Sequence, residues 1–579
     1  MALAYNQFEE LSHQLRFLLF EIGIGLPSHA VNNVIDKAHQ DCLVRLQQAA
    51  LREKLIEKPL YSYHISDFID QLQLRLKILK SESRFYRWDL LRQELNESIA
   101  NEAMALIYRQ RWQKELAMQL QGTSSFWAWL KQQDSKSTLP FLEQWSCVGH
   151  PYHPNFRAKM GLSRREVLQY SPEFNAQVSL HWCALHQEKI QVNSINQTYL
   201  ELMSCLFPAE YVTWQHKLQL QQLNPNDFYP IPVHPWQWRN QLQIPLASLI
   251  DRKQLILIPH HQLTQPSMSL RTMIPITQHL NHLKLAMAVH TTSATRTVSP
   301  ASAQNGPAIS AWLTQILKTH QHYNDTLFLA RDLAGAHLQE PTLASGLHKQ
   351  LAFILRESPL QYVQDNQQLI PLAGLFVNSP LSNEPLLLDI IRASGINPEQ
   401  YFKHYCHCVI KGQLHLLLHY GVALEAHQQN TLIVFENNLP KSLIIRDLGG
   451  IYLCNHADFQ DKARPSLHPE STIITSNLAD TCNKFIHGNL QSNLAYWINS
   501  LSQFKDLTPA SLWHIVFNTI QAELSNLAPA IKPSVLDWYQ QHLLQKPWQH
   551  KSLLLMRLVP SKKHNHLTLT ANPLSSFDV

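Results

Sequence analysis

Apolar residues recur at every third or fourth position through the first quarter of the chain, which is the spacing of one buried face of an α-helix. The clearest case is FYRWDLLRQELNESIANEAMALIYRQRWQKEL, which begins at Phe85. Its predicted buried face is Leu90, Leu91, Leu95, Ile99, Met104 and Ile107. The N-terminal MALAYNQFEELSHQLRFLLFEIG is predicted to be an amphipathic helix and not a leader peptide, because Glu9, Glu10 and Arg16 precede any long apolar run. Residues 1–140 are therefore predicted to form a helical N-terminal domain.

From Trp145 to about Arg296 the pattern changes to short apolar runs broken by prolines, such as FYPIPVHPWQW and LKLAMAVHTTSATRTVS. Runs of this kind are typical of β-strands. A helical stretch follows around Ala308–Leu317. Residues 141–330 are predicted to be a central domain built on a mixed α/β sheet.

In residues 331–579 the pattern predicts a C-terminal α+β domain. YVQDNQQLIPLAGLF is predicted to be strand and loop, and PLLLDIIRASG and YFKHYCHCVIKGQLHLLLHYG are predicted to be helices. TLIVFENNLPKSLIIRDLGGIYL is predicted to be a hairpin of two apolar strands, and the last 70 or so residues return to a helical pattern. The fold class predicted for the whole chain is α+β.

Composition narrows the functional classes. A length of 579 residues corresponds to about two to four structural units. The net charge of only +5, with no long run of Lys or Arg, argues against a nucleic-acid partner. No apolar stretch reaches the roughly 18 residues of a membrane span, so we expect a cytoplasmic protein with no membrane partner. The eight scattered cysteines form no CxxC pair, and Cys406 and Cys408 are expected to pack in a helix as reduced thiols.

The predicted hairpin carries polar residues at both of its ends. Glu425, His427, Gln429 and Asn430 precede its first strand, and Asp447 follows its second strand, just before two glycines. An Asn and an Asp brought together in this way, with glycines that let phosphate approach, form a Mg²⁺ site in kinase-like proteins. The alternative is that both side chains only cap local backbone groups.

A second cluster lies on two strand-like runs, PSMSLRTMIPI and KLAMAVHTTSATRTVS. Its hydrogen-bond donors are Ser269, Arg271, Thr272, Lys284, Thr295 and Arg296. Arg binds phosphate or carboxylate through two parallel hydrogen bonds, and Lys acts as a point charge. The pair of strands therefore predicts an anion site, whereas the alternative is a solvated strand edge with incidental cations. The chain contains neither the P-loop nor the dinucleotide-binding motif.

The stretch GHPYHPNFRAKMG, residues 149–161, contains two His-Pro pairs. His150 and His153 have the residue type of metal ligands, but no third ligand follows at zinc spacing. The prolines keep the backbone extended. We therefore interpret the stretch as a rigid loop that presents His150, His153, Arg157 and Lys159 to anions.

Six motifs in this order, GHPYHPNFRAKMG, PVHPWQW, SMSLRT, KLAMAVHTTSATRTVS, EAHQQN and RDLGG, closely resemble those of the siderophore synthetases that work without a peptide-synthetase template, the IucA/IucC-like family. The motifs span roughly residues 145–455. The resemblance implies a cupped-hand architecture, with residues 1–140 as a thumb, 141–330 as fingers and 331–579 as a kinase-like palm. It leaves open whether the chain is a homodimer.

Members of this family use ATP and Mg²⁺ to adenylate a carboxylic acid, usually citrate, and then transfer the acyl group to an amine or a hydroxyl. The resemblance implies that His427, Arg296 and Lys284 are catalytic. It implies nucleotide contacts from Ser269, Arg271, Thr272, Gln429, Asn430 and Asp447, the last two of which would also hold Mg²⁺. The implied substrate contacts are His150, His153, Arg157, Lys159, Glu425 and Thr295. The chain departs from the family at Arg157 and Lys159, where the family more often has Lys and then Arg.

Several functional alternatives stay open from the sequence. The His-rich chain is similar to synthetases of rhizoferrin/legiobactin-type polycarboxylate siderophores, so citrate and a diamine such as putrescine are the first expectation. A hydroxamate amine, an amino alcohol or another carboxylic acid is the alternative. A kinase-like phosphotransferase would use the same Asn430 and Asp447, but it should have an Asp base in place of Gln429. A non-catalytic sensor of citrate or nucleotide is the third possibility.

Overall fold

A computed structural model describes residues 8–276, 280–291, 294–323, 326–341, 346–459, 462–560 and 566–577. The helices are α1 (Phe8–Glu21), α2 (Ser28–Arg52), α3 (Ile65–Leu79), α4 (Trp88–Gln119), α5 (Phe126–Leu130), α6 (Ser135–Trp145), α7 (Arg164–Tyr170), α8 (Tyr199–Leu206), α9 (Pro208–Leu220), α10 (Pro235–Gln237), α11 (Ala247–Asp251), α12 (Pro300–Thr319), α13 (Leu386–Ser394), α14 (Pro398–Tyr420), α15 (Leu478–Phe485), α16 (Ala495–Leu501), α17 (Pro509–Leu527), α18 (Pro533–Gln540) and α19 (Leu553–Leu558). The strands are β1 (Lys159–Met160), β2 (Val178–His186), β3 (Ile190–Ser194), β4 (Phe228–Val233), β5 (Leu255–Pro266), β6 (Thr272–Pro275), β7 (His282–Leu285), β8 (His290–Thr291), β9 (Ala294–Thr295), β10 (Leu327–Leu329), β11 (Asp332–Leu338), β12 (Ala352–Arg356), β13 (Gln367–Pro371), β14 (Val422–Ala423), β15 (Thr431–Glu436), β16 (Leu439–Ile445), β17 (Tyr452–Cys454), β18 (Ile474–Thr475), β19 (Trp548–Lys551) and β20 (Leu567–Thr570).

The long helix α4 joins the two main cores of the protein. At 1.5 Å per residue its 32 residues span about 48 Å. Its first half packs with α2 in the core that also contains the large sheet, and Trp112 and Leu116 near its end belong to the C-terminal core. Leu91, Leu95, Ile99, Met104 and Ile107 are buried as predicted. The prediction for Leu90 was wrong: Leu90 is half-buried, because it is adjacent to Leu91 and so lies about 100° away around the helix.

The central sheet has eight strands in the order β3-β11-β12-β7-β6-β5-β2-β4, and every neighbouring pair is antiparallel. It confirms the sheet that the sequence predicted in the middle of the chain. The sheet also includes β11 and β12, so it extends past residue 330, where the sequence suggested a boundary. Helix α12, which contains the predicted helical stretch, packs against β11.

The predicted hairpin is present as the antiparallel pair β15 and β16. It lies in a four-stranded sheet of order β10-β16-β15-β13, against which α14 packs. The last 70 residues are not entirely helical as predicted, because β19 and β20 pair there in an antiparallel ladder. The mixed α/β architecture of the described residues agrees with the predicted fold class.

Other findings concern thiols, metals and membranes. All eight cysteines are free, and Cys406 and Cys408 are buried on α14 as expected.

Among the described residues there is no group of three or more His, Cys, Asp or Glu side chains that could hold a metal ion. Over the same part of the chain, no helix has the length and apolar character that a bilayer crossing requires.

Substituting Gly335 with Ala tests the contact between α12 and the central sheet. A Cβ at this position would overlap the backbone carbonyl of Ala303 on α12. We expect Gly335→Ala to destabilise the protein by about 1–3 kcal/mol or more, because a helix backbone cannot shift without repacking its neighbours. Gly25→Ala is the matched control, since no described atom lies within 4 Å of its Cβ position. Thermal unfolding of both variants measures the difference, and equal effects would contradict the proposed crowding.

Candidate functional site

The end of the hairpin meets two strands of the central sheet. Thr272 on β6 lies directly opposite Lys284 on β7 in the antiparallel register. Asp447 follows β16 with a φ of 69°, a left-handed conformation that turns the chain sharply after the strand. The Lys284 ammonium donates to both carboxylate oxygens of Asp447, at 2.6 and 2.7 Å. The two predicted clusters are therefore in direct contact.

Arg356, from the neighbouring strand β12, completes this contact. Its Nη2 lies 3.5 Å from Asp447 Oδ1, and its Nε donates to Asp332 Oδ1 at 2.7 Å. Burial favours the neutral form of Asp447, but the Lys284 and Arg356 cations outweigh it and hold the pKa of Asp447 well below its usual range. Burial lowers the pKa of Lys284 to about 8, against the opposing charge of Asp447. Lys284 is consequently charged at neutral pH but close to losing its proton.

Two further arginines share this part of the site. Arg271 donates through Nη1 to the Thr297 carbonyl, while its buried Nε has no hydrogen-bond partner among the described residues. Burial, with the nearby charge of Arg296, lowers the pKa of Arg271 to about 10. Arg296 donates to Thr291 Oγ1 at 2.6 Å, and its charge interacts with Asp447. An unsatisfied guanidinium N–H inside a cationic cluster is suited to an incoming anion.

The polar residues before β15 form the second part of the site. Glu425 accepts a hydrogen bond from Lys484 at 2.9 Å, and its carboxylate passes so close to Gly450 that a Cβ there would overlap it. Asn430 donates from Nδ2 to the Glu425 carbonyl at 3.1 Å. Burial lowers the pKa of His427, although the Glu425 carboxylate opposes this effect. His427 is therefore a neutral imidazole at neutral pH, able to accept a proton.

His150, His487 and Lys551 lie on the same side of the site. Burial lowers the pKa of His150 to about 3, and the nearby His427 and Lys551 add to the effect. Burial, followed by the charge of Lys551, lowers the pKa of His487 well below its usual value. His150 nevertheless keeps exposed surface, and Lys551 and His487 keep partial exposure. His150, His487 and Lys551 are surrounded by protein and still reach solvent, so we infer that they line a cleft.

The structure places the other members of the GHPYHPNFRAKMG loop away from open solvent. Arg157 forms ion pairs with Glu102 at 2.6 Å and with Glu173 at 3.3 Å, and Lys159 contacts Glu173 at 2.5 Å. His153 is buried, and its ring nitrogens have no hydrogen-bond partner among the described residues. Arg157 and Lys159 thus already have carboxylate partners. Contact of His153, Arg157 and Lys159 with a substrate stays a prediction.

Thr295 lies at the edge of the site. It is exposed on β9 and lines, with Thr297 and Lys349, an open recess of about 490 Å³. This recess borders the contact between Arg271 and Thr297 and does not include the Lys284–Asp447 pair. Thr295 is therefore placed beside the cationic cluster.

A buried ion pair holds these segments in register. Arg446, one residue before Asp447, donates to both oxygens of Glu143 on α6, at 2.7 and 2.9 Å. Glu143 Oε2 also accepts from the Met268 amide at 2.9 Å, and Gln429 Nε2 donates to the Met268 carbonyl at 3.1 Å. The segment that carries Ser269, Arg271 and Thr272 is thus connected to the hairpin and to α6.

The site residues that sequence reasoning missed are Glu143, Arg356, Arg446, Lys484, His487 and Lys551. Arg446 stands in the RDLGG motif, and its position beside Asp447 is a signal that could have drawn attention to it. Lys551 begins the stretch KSLLLMRL, which extends the family resemblance toward the C-terminus, whereas Lys484 and His487 stand in an ordinary amphipathic stretch with no comparable signal.

Comparison with known families accounts for most of the chain. Residues 138–377 match the model of the IucA / IucC family. The chain contains an IucA/IucC family domain. Residues 399–565 match a second model, described as ferric iron reductase FhuF-like transporter. The IucA/IucC domain thus covers the central sheet, and the FhuF-like domain covers α14, the hairpin and Lys551.

Among relatives, the chain is 26% identical to the D-ornithine–citrate ligase of Staphylococcus aureus (strain NCTC 8325 / PS 47), over 78% of this chain and 70% of that protein. It is 24% identical to the staphyloferrin A synthase of the same organism, over 70% of this chain and 69% of that protein. These relatives are siderophore synthetases. The names of these relatives as a ligase and a synthase support the same class for this chain, which is an enzyme of the ligase class.

Two solved structures share the fold. The aerobactin synthetase IucC from a hypervirulent pathotype of Klebsiella pneumoniae superposes with a TM-score of 0.72 at 18% identity, over 94% of this chain and 99% of that chain. The ATP-bound aerobactin synthetase IucA from the same pathotype gives a TM-score of 0.66 at 20% identity, over 88% and 85% of the two chains. At these identities the likeness shows the fold that the chain shares with both structures, and nothing about its activity.

Substituting Glu143 with Gln tests the buried ion pair. Removing one charge should leave Arg446 uncompensated in a buried position, which costs about 3–5 kcal/mol. We expect a clearly lower midpoint of urea unfolding for Glu143→Gln. Glu115→Gln makes the same change in an exposed pair with Arg111 and should shift stability by no more than about 0.5 kcal/mol. A Glu143→Gln protein as stable as the control would show that the pair is not important for the fold.

Proposed function

We propose that the chain is an ATP-dependent siderophore synthetase that adenylates a carboxyl group of citrate and condenses it with an amine to form an amide, releasing AMP and pyrophosphate. The observation that carries the proposal is the cationic cleft. Its cationic side chains are Lys284, Arg271, Arg296, Arg356, Lys484 and Lys551. The carboxylates described among them are Asp332, Asp447 and Glu425. Cations in excess at a partly closed site are suited to polyanionic substrates such as a nucleotide and a tricarboxylate.

The charges suggest a division of the cleft. Lys284, Arg271 and Arg296 lie at the meeting point of the central sheet and the hairpin, where we propose that the triphosphate binds, with Ser269, Thr272, Gln429 and Asn430 nearby. His427, Glu425, His150 and Lys551 form the other side, where we propose that citrate binds. In this arrangement the carboxylate attacks the α-phosphorus between the two groups of cations, which stabilise the charge that develops.

Mg²⁺ is implied by the family, and the residues present fit it in part. Asp447 offers a carboxylate and Asn430 an amide, and a phosphate-bound Mg²⁺ needs only one or two such protein ligands. Both oxygens of Asp447 are held by Lys284, so these two residues would hold the ion only with Lys284 turned toward phosphate. The ion would there neutralise phosphate charge.

The neutral imidazole of His427 suits the second half-reaction. An amine nucleophile has a pKa near 10 and must lose a proton before or during attack on the acyl adenylate. We propose that His427 accepts this proton, while Lys484 keeps Glu425 ionised beside it. A diamine such as putrescine is our first candidate for the amine, and hydroxamate amines or amino alcohols are the alternatives within the same chemistry.

The relatives favour this function over its rivals. One relative is named as a ligase of D-ornithine and citrate, and one structure of the same fold is an ATP-bound synthetase. The comparisons give no support to a phosphotransferase. We propose that residues 331–579 act as the kinase-like palm and residues 1–140 and 141–330 as thumb and fingers, in a cytoplasmic enzyme.

The products of ATP turnover test the reaction class. With ATP, Mg²⁺, citrate and an amine, we expect AMP, pyrophosphate and a citryl amide detected by mass. His427→Ala and Arg296→Ala should each lower kcat by about 100-fold or more, because each removes a group that acts in the transition state. His13→Ala, at an exposed position on α1, serves as the matched control and should leave turnover unchanged. ADP as the nucleotide product would overturn the proposal in favour of phosphoryl transfer.

The pH dependence of nucleotide binding tests Lys284. Because its pKa is lowered to about 8, the ammonium that we assign to the triphosphate is lost as pH rises through this value. We expect the affinity for ATP to fall about tenfold per pH unit above pH 8, whereas an ordinary lysine would hold its charge to about pH 10. Lys284→Arg should remove this dependence. A wild-type affinity that is constant from about pH 7 to about pH 9 would contradict the assignment.

A further inference from the structure

The segment Trp548–Leu558, here called the C-terminal strap, connects the C-terminal half of the protein to its N-terminal helices. At its beginning, Gln549 accepts from Asn483 Nδ2 at 2.6 Å through Oε1 and from Gln491 Nε2 at 3.1 Å through its carbonyl. Lys551 follows two residues later, at the end of β19. The first half of the strap is therefore attached to α15 and to the π-helical stretch Ile486–Leu494.

The second half of the strap is attached to α2 and α4. Glu53, at the end of α2, accepts from the Leu554 amide at 2.7 Å through Oε1 and from the Leu555 amide at 2.8 Å through Oε2. Three residues further on, Arg557 forms a bidentate ion pair with Glu94 of α4. Lys551 thus lies between two anchors that belong to different halves of the molecule.

Glu53 is an unusual residue to find at this position. Only 4% of its surface is exposed, and its carboxylate is directed at two backbone amides of the strap and not at a cationic side chain. A buried carboxylate without a salt-bridge partner is costly unless it serves another role. Burial raises its pKa to about 7, an effect that the backbone amides of the strap and the charge of Arg52 only partly counteract. A glutamine could fill the same space without this cost, but its NH2 group would take the place of one carboxylate oxygen and face a backbone N–H, donor against donor.

We propose that Glu53 is a positioning residue that holds Lys551 in the cleft. Two hydrogen bonds to the Glu53 carboxyl group fix the strap from three residues after Lys551, and pairing of Lys551 with Leu567 across β19 and β20 fixes it from the other side. The ammonium of Lys551 then acts on Glu425, His427, His150 and His487. Glu53 touches none of these groups and acts through the strap.

The effect of Glu53 on substrate binding rests on the proposed function. If Lys551 neutralises a carboxylate of the acid substrate, then the rigidity of the strap sets the affinity for that acid and leaves the nucleotide side of the cleft unaffected. The same contact couples the N-terminal helices to the acid side of the cleft.

Amine labelling combined with kinetics tests the proposal in the full-length protein. The labelling rate of Lys551 relative to the exposed Lys546, which lies two residues before the strap, is read by mass spectrometry and reports how firmly the strap holds Lys551. We expect Glu53→Gln to raise this ratio severalfold and to raise the KM for citrate about tenfold, with the KM for ATP unchanged. Glu57→Gln, the same change at an exposed site four residues away, should alter none of these values.

Two further variants decide between positioning and a general loss of structure. In a Lys551→Met background, Glu53→Gln should have no additional effect on the KM for citrate, because the two residues act in series. Glu53→Asp keeps the carboxyl group on a shorter side chain, so the labelling ratio of Lys551 should lie between those of the wild type and Glu53→Gln. If Glu53→Gln does not fold, Glu53→Asp is measured in its place. An unchanged labelling ratio in folded Glu53→Gln, or additive effects with Lys551→Met, would overturn the positioning role. A wild-type protein in which Lys551 is labelled more slowly than Lys546, but which shows no citrate-dependent turnover, would instead overturn the proposed function.

Discussion

The buried ion pair between Glu143 and Arg446 is the contact on which the arrangement of the cleft depends. Arg446 stands beside Asp447 at the end of the hairpin, and Glu143 comes from a helix some 300 positions earlier in the chain. The same carboxylate accepts the amide of Met268 and so fixes the segment that leads to Arg271. One carboxylate thereby sets the distance between the hairpin and the central sheet, and with it the contact between Lys284 and Asp447.

Lys284 and Asp447 each favour the ionised form of the other inside the cleft. Burial lowers the pKa of Lys284 to about 8, and the Asp447 carboxylate opposes this effect. Asp447 is in turn kept ionised by Lys284 and Arg356. An anion that enters such a cluster can take over the cations from Asp447, so the site can exchange an internal counter-ion for a substrate without exposing an unpaired charge.

The histidines of the cleft have a different role from the one that their number suggests. Burial and neighbouring cations keep His150, His427 and His487 neutral, so they offer ring nitrogens as hydrogen-bond donors or acceptors and add no positive charge. The positive charge comes from lysines and arginines. His427 differs from the other two because Glu425 lies beside it and partly restores its basicity.

Local sequence patterns determined the helices of the N-terminal part, the presence of a central sheet and the hairpin between Thr431 and Ile445, because periodicity and turn residues act over a few positions. The motifs also predicted that Lys284 and Asp447 belong to one site. Only the tertiary structure decided that Arg157 and Lys159 meet Glu102 and Glu173, and that Lys484 and Lys551 reach the cleft. Whether a cation meets a carboxylate or a substrate depends on which distant segments pack together, and that packing is set by the shape of the whole core and not by any local pattern.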